Sequence, residues 1–130
     1  MDTLNLVVFA IISLFVLFQL SFYYKAWRLK GSKVGTILKE EGISGNYDEL
    51  LLFFHSDHCP PCKQMMPDIK ALMENNPNII PIDIGIFMNL AKRLNVRATP
   101  TTLFIKNGEV KKVLLGRQSR QVIEKLFVSK

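Results

Sequence analysis

Residues 4–24 read LNLVVFAIISLFVLFQLSFYY, 21 positions without a formal charge, interrupted only by the polar side chains of Asn5, Ser13, Gln19 and Ser21. A helix of that composition has no face polar enough for water, so the run stands apart from any globular core the rest of the chain can build. Wound as a helix it extends about 31 Å, close to the roughly 30 Å hydrocarbon thickness of a bilayer. A removable signal peptide needs a basic start, a shorter apolar core and a small-residue cleavage site, and the sequence has none of these. Instead the run passes through Phe22, Tyr23, Tyr24 and Trp27, rings suited to the headgroup level, into Lys25, Arg28, Lys30 and Lys33. Residues 1–24 are expected to be a single-pass transmembrane anchor, 25–47 a juxtamembrane connector with a first helix, and 48–130 a folded domain.

Short flanks rich in Lys and Arg stay on the cytoplasmic side, and only the C-terminal flank has them. The folded domain is therefore expected in the cytoplasm, with the extracytoplasmic face as the alternative. Beyond Tyr24 the chain holds 17 basic and 10 acidic residues, a formal charge of +7. Most of that charge is read as a solvated surface; no interleaving of Arg with aromatic residues suggests a nucleic-acid platform.

The order of elements after the anchor is informative. Residues 34–41 suit a short helix that stops before Gly42, and GISGN at 42–46 is turn chemistry. LLLFF at 50–54 is a short continuous apolar block between turns, which predicts a strand buried on both faces. From Cys59 onward, Met65, Met66, Ile69, Leu72 and Met73 recur at helical steps up to the Asn75-Asn76-Pro77 stop, with Pro67 inside the pattern. IIPID at 79–83 predicts a second strand, parallel to the first, and 87–94 a helix burying Leu90, Ala91 and Leu94. TTLFI at 101–105, Asn107-Gly108 and 110–115 predict a hairpin. A last helix over 119–127, capped by Ser119, should bury Val122, Ile123, Leu126 and Phe127.

Both cysteines of the chain fall in HSDHCPPCKQMMP at 55–67, between the first predicted strand and the helix after it. Cys59 would sit at the helix N-terminus, where unpaired N–H groups and the helix dipole stabilise a thiolate, so it is expected to be the nucleophile. Cys62, one turn on and more covered, is placed to attack the mixed disulfide and release the substrate. Pro60 and Pro61 fix φ and lack N–H groups that would otherwise compete in that turn. His58, Pro60, Pro61 and Lys63 are candidates for tuning the sulfur, and His58 alternatively is a solvated loop residue. Asp57 and Lys63 read most simply as surface charges, Asp83 as a cap for the loop after its strand, and the Met series as core packing rather than copper ligands.

On FFHSDHCPPCKQMMP, VRATPT at 96–101, LFIKNGEV at 103–110 and LLGRQSRQVIEKL at 114–126, the chain resembles the thioredoxin family over roughly residues 48–127. The resemblance implies an α/β, thioredoxin-like fold, a central mixed β-sheet flanked by helices, here preceded by one transmembrane helix. It implies that Pro100 follows a cis peptide bond opposite the cysteines, and that Thr99 and Pro100 line the groove holding a substrate strand. Pro67 matches the family's helix-kinking proline and Gly116 the glycine bordering the active face. Three positions depart from the family pattern: Phe53 stands where many thioredoxins have a buried aspartate, His58 where an aromatic residue is usual, and Pro60-Pro61 where Gly-Pro is usual.

The expected function is that of an enzyme, a membrane-tethered thiol:disulfide oxidoreductase acting on protein disulfides, with reduction the direction in a cytoplasmic setting. It needs an upstream electron donor or acceptor and no dissociable cofactor beyond the redox-active Cys59–Cys62 pair. The anchor has no G-x-x-x-G motif, and a monomer is expected. The competing reading is a metal-binding or metal-delivery module using His55, His58, Cys59 and Cys62. Haem attachment through C-x-x-C-H is excluded because Lys63 follows Cys62.

Overall fold

The structure is a computed structural model that describes residues 2–45 and 47–128. The element order is α1 (Thr3–Leu29), α2 (Gly35–Glu40), β1 (Glu49–His55), α3 (Pro60–Asn75), β2 (Ile79–Asp83), α4 (Met88–Arg93), β3 (Thr101–Lys106), β4 (Glu109–Leu115) and α5 (Arg120–Val128). Asn46, read from the sequence as the end of a turn, lies outside the described residues, as do Ser129 and Lys130 at the end of the expected domain.

The four strands form one sheet in the order β2-β1-β3-β4. β1 and β2 run parallel, with Phe54 opposite Ile82 and His55 opposite Asp83. β3 is antiparallel to β1 and to β4, so the sheet is mixed. The central position of β1 explains its unbroken apolar run, since Leu50, Leu51, Leu52, Phe53 and Phe54 are all fully buried. Alternation splits them between two cores. Leu50, Leu52 and Phe54 pack with Leu38, Ile82, Leu90 and Leu94 under α2 and α4. Leu51 and Phe53 pack with Met65, Ile69, Ile123 and Leu126 under α3 and α5.

Local chemistry sets the boundaries. Asn107 and Gly108 both adopt positive φ, 53° and 73°, the geometry a two-residue hairpin requires. Asp83 Oδ1 accepts a hydrogen bond from Gly85 N at 2.8 Å, the capping role its position suggested. Ser119 Oγ accepts from Val122 N at 3.4 Å at the start of α5. That helix buries Ile123 and Leu126 as expected, but Val122 is 37% exposed: the one-residue step of about 100° from Ile123 carries it off the face that meets the sheet. At the end of α2, Glu40 and Glu41 both bind the guanidinium of Arg93 in α4, raising its pKa above the ordinary arginine value through those hydrogen bonds, Glu40's first.

Among the described residues, α1 is the one helix long and apolar enough to cross a membrane, and none of its 27 residues is buried. Residues 25–29, read from their charge as connector, continue that helix. Beyond α1 the backbone is not loose chain. Gly31 N donates to Val110 O at 2.7 Å, Val110 N to Ser32 O at 3.0 Å and Val34 N to Gly108 O at 2.8 Å, so residues 31–34 lie along the outer side of β4.

Candidate active site

The site grows out of the turn between β1 and α3. Cys59 is the N-cap of α3, with extended backbone at φ −111° and ψ 101°, and Pro60 and Pro61 occupy the first two helical positions. Neither proline has an N–H, so the first amide the helix can offer is that of Cys62. That amide points at the sulfur: Cys62 N donates to Cys59 Sγ at 3.3 Å. The two sulfurs are joined in a disulfide at 2.09 Å, with the Cα atoms 5.2 Å apart. Cys59 is 7% exposed and Cys62 1%, so the first cysteine is the less covered of the pair.

The strand register brings the other expected residues to the same end of the sheet. Thr101, the first residue of β3, pairs with Phe54, which places Thr99 and Pro100 beside the end of β1 from which the cysteine turn departs. The Thr99–Pro100 peptide bond is cis, Pro100 is buried and Thr99 half-buried. Pro100 O accepts from Gly116 N at 2.9 Å, and Gly116 has φ 76°, where a side chain would be strained. The next two residues reach α3: Arg117 Nη1 donates to Gln64 Oε1 at 2.9 Å and Gln118 N to Met65 Sδ at 3.4 Å. The cysteine helix, the cis-proline strand and the end of β4 are thus tied together at one edge.

The remaining candidates divide. His58 and Lys63 are exposed beside the cysteines, Pro60 is exposed and Pro61 half-buried. His55 is half-buried and stacks on Phe53, ring centroids 5.8 Å apart and 19° from parallel. One buried polar atom has no partner among the described residues, Thr102 Oγ1. Thr102 pairs with Phe53 across the β1–β3 ladder, so its hydroxyl faces the cluster that contains both cysteines. A threonine in a strand gives no sequence signal of that kind, because the orphaned hydroxyl follows from register rather than from residue type.

Matching the thioredoxin family profile, residues 38–129 take in every element of the sheet and both cysteines. The chain belongs to the thioredoxin family. It is 27% identical over 79 residues to thioredoxin H3 of Arabidopsis thaliana, covering 59% of this chain and 67% of that protein. To thioredoxin 2 of Plasmodium berghei it is 33% identical over 108 residues, covering 81% of this chain and 64% of that protein. A point mutant of the thioredoxin from Halobacterium salinarum superposes with a TM-score of 0.59 at 29% identity, covering 63% of this chain and 74% of that structure. The chain therefore spans about two thirds of the length of those curated relatives. Thioredoxins are thiol:disulfide oxidoreductases whose working group is a redox-active disulfide, and the enzyme class of this family member is the same.

The competing metal reading finds no support. Among the described residues no three His, Cys, Asp or Glu side chains converge as a metal site. Cys59 and Cys62 are bonded to each other, and the His55 ring lies against Phe53.

Proposed function

We propose that this thioredoxin is a membrane-tethered reductase of protein disulfides, anchored by α1 with its sheet domain on the cytoplasmic side. The observation that carries the chemistry is the Cys59–Cys62 disulfide, closed at a helix N-terminus with the Cys62 amide directed at the Cys59 sulfur. In the reduced protein the same amide and the helix dipole favour the Cys59 thiolate. That thiolate attacks one sulfur of a substrate disulfide; a mixed disulfide forms, and the other substrate sulfur leaves as a thiolate and takes up a proton. Cys62, deprotonated, attacks Cys59 Sγ, which breaks the mixed disulfide and releases the second substrate thiol. Two electrons pass to the substrate, and the protein is left as the disulfide seen in the structure. A dithiol donor upstream must then reduce it again.

Thr99 and Pro100 are assigned to substrate binding. They sit at the start of β3 beside the cysteine turn, where an extended substrate segment can pair with backbone. His58 and Lys63, exposed next to Cys59, are assigned a tuning role. Membrane tethering is supported by the length and unrelieved apolar surface of α1, and the cytoplasmic side by the basic flank from Lys25 to Lys33.

The test uses the full chain in detergent, reduced and then mixed with a protein disulfide substrate. Cys59→Ser should abolish reduction, and Cys62→Ser should accumulate a mixed disulfide visible on a non-reducing gel. Reduction that survives Cys59→Ser defeats the mechanism.

A further inference from the structure

Where the anchor meets the sheet fixes which way the site points. Phe22, Lys25 and Ala26 share a crevice with Ala98, Thr101 and Leu115, at the end of the sheet where the cysteines lie. Farther along, Trp27 of α1 and Lys30 and Gly31 just past its end line a crevice with Glu109, Val110 and Lys111, toward the hairpin. The helix thus runs from the cysteine end of β4 toward the hairpin end. Its seven helical steps from Phe22 to Leu29 rise about 10.5 Å, and the two non-helical steps on to Gly31 make up most of the rest of the roughly 17 Å of strand from Leu115 to Val110, so this stretch runs alongside the strand. Everything N-terminal to Phe22, the apolar span itself, consequently projects beyond the cysteine end.

There is no spacer between the two. The uncharged run stops at Tyr24, level with the last residues of β4, and the hydrogen bonds of residues 31–34 to β4 keep the domain from swinging away. A second observation falls at the same end. The loop after β2, which leaves the sheet beside His55, exposes Ile86 at 76%, and the start of α4 exposes Met88 at 52%. Those are two of only four large apolar side chains outside α1 that are exposed among the described residues. With that end at a bilayer, these apolar side chains would enter the headgroup layer, while Lys25 and Arg97, on the two sides of the crevice, would meet lipid phosphates.

We infer that the disulfide-bearing end of the sheet faces the bilayer surface, and that the substrates are disulfides held at headgroup level by integral membrane proteins. The inference rests on the anchor reading, and its test separates the two. The full chain, whose one tryptophan is Trp27, is reconstituted in phosphatidylcholine–phosphatidylglycerol vesicles with acyl chains brominated just below the headgroup. In Trp27→Phe with Phe18→Trp, the indole inside the apolar run should be quenched. In Trp27→Phe with Ile86→Trp it should be quenched as well, whereas in Trp27→Phe with Lys106→Trp, at the hairpin end, it should not. If the indole at 18 is quenched but that at 86 behaves like that at 106, the orientation is wrong and the anchor stands. If the indole at 18 is not quenched, the anchor reading fails and takes the inference with it.

The substrate class is tested in the same vesicles. A designed single-span peptide carries a disulfide loop either next to its apolar segment or at the top of a rigid helical stalk about 30 Å long. The reduced protein should act on the near loop about tenfold faster or more, because only that loop is presented at the height of Cys59. Equal rates would overturn the substrate assignment even with the orientation upheld.

Discussion

Pro61 stands at the second position of α3, where an ordinary residue would offer an amide to the capping side chain. Its absence leaves Cys62 N as the donor that reaches Cys59 Sγ. Pro61→Ala restores the missing amide, adds a second donor to the thiolate and should speed alkylation of reduced Cys59 at neutral pH by about twofold to fivefold. Pro60→Ala supplies an amide one position earlier, out of line with the cap, and should leave the rate unchanged. Equal effects of the two substitutions would mean that backbone stiffness, not donor count, is what the prolines control. The cysteine spacing and the helix after it made this corner of the site legible from sequence. The stacking of His55 on Phe53 and the orphaned Thr102 hydroxyl were not, because both depend on which strand lies beside which.

Among the elements, the hairpin shows why local chemistry reads well. Asn107-Gly108 demands positive φ at both positions, and the structure supplies it. An added Cβ at Gly108 meets only Gly35 backbone at ordinary contact distance, 3.9 Å, so the cost of Gly108→Ala is conformational rather than steric. Denaturation of the full chain in detergent should show a loss of about 1 kcal/mol. Disulfide reduction by the folded variant should be unaffected, since the hairpin lies at the end of the sheet remote from Cys59. β1, β2 and α3 were legible because apolar runs, periodicity and breaker residues agree there. Val122 was not, because a nine-residue helix with apolar residues on several sides does not state which of them the sheet will cover. The packing of residues 31–34 on β4 was equally hidden: a short basic stretch with one glycine carries no pattern that distinguishes a docked strand from a linker.

For the molecule as a whole, α1 and the sheet domain form one connected object rather than a float on a string. If α1 is the proposed anchor, membranes carrying the protein should retain it through high salt and alkaline carbonate and release it only to detergent, because such an attachment rests on apolar burial and not on charge. Release by salt would mean that the basic flank, not α1, holds it there. The packing of helix and connector along β4 also bears on how copies meet one another. Proteins confined to a plane collide side-on, and a bare strand at the rim of a sheet would invite stacking into ribbons. Here the hairpin end of the β4 rim is bonded by the chain's own residues 31–34, α1 lies beside the rest of that strand, and the other rim, β2, has Pro81 at its centre with no amide to lend. If α1 holds the chain in a bilayer as proposed, crowding there would favour exchange of partners over stacking of copies.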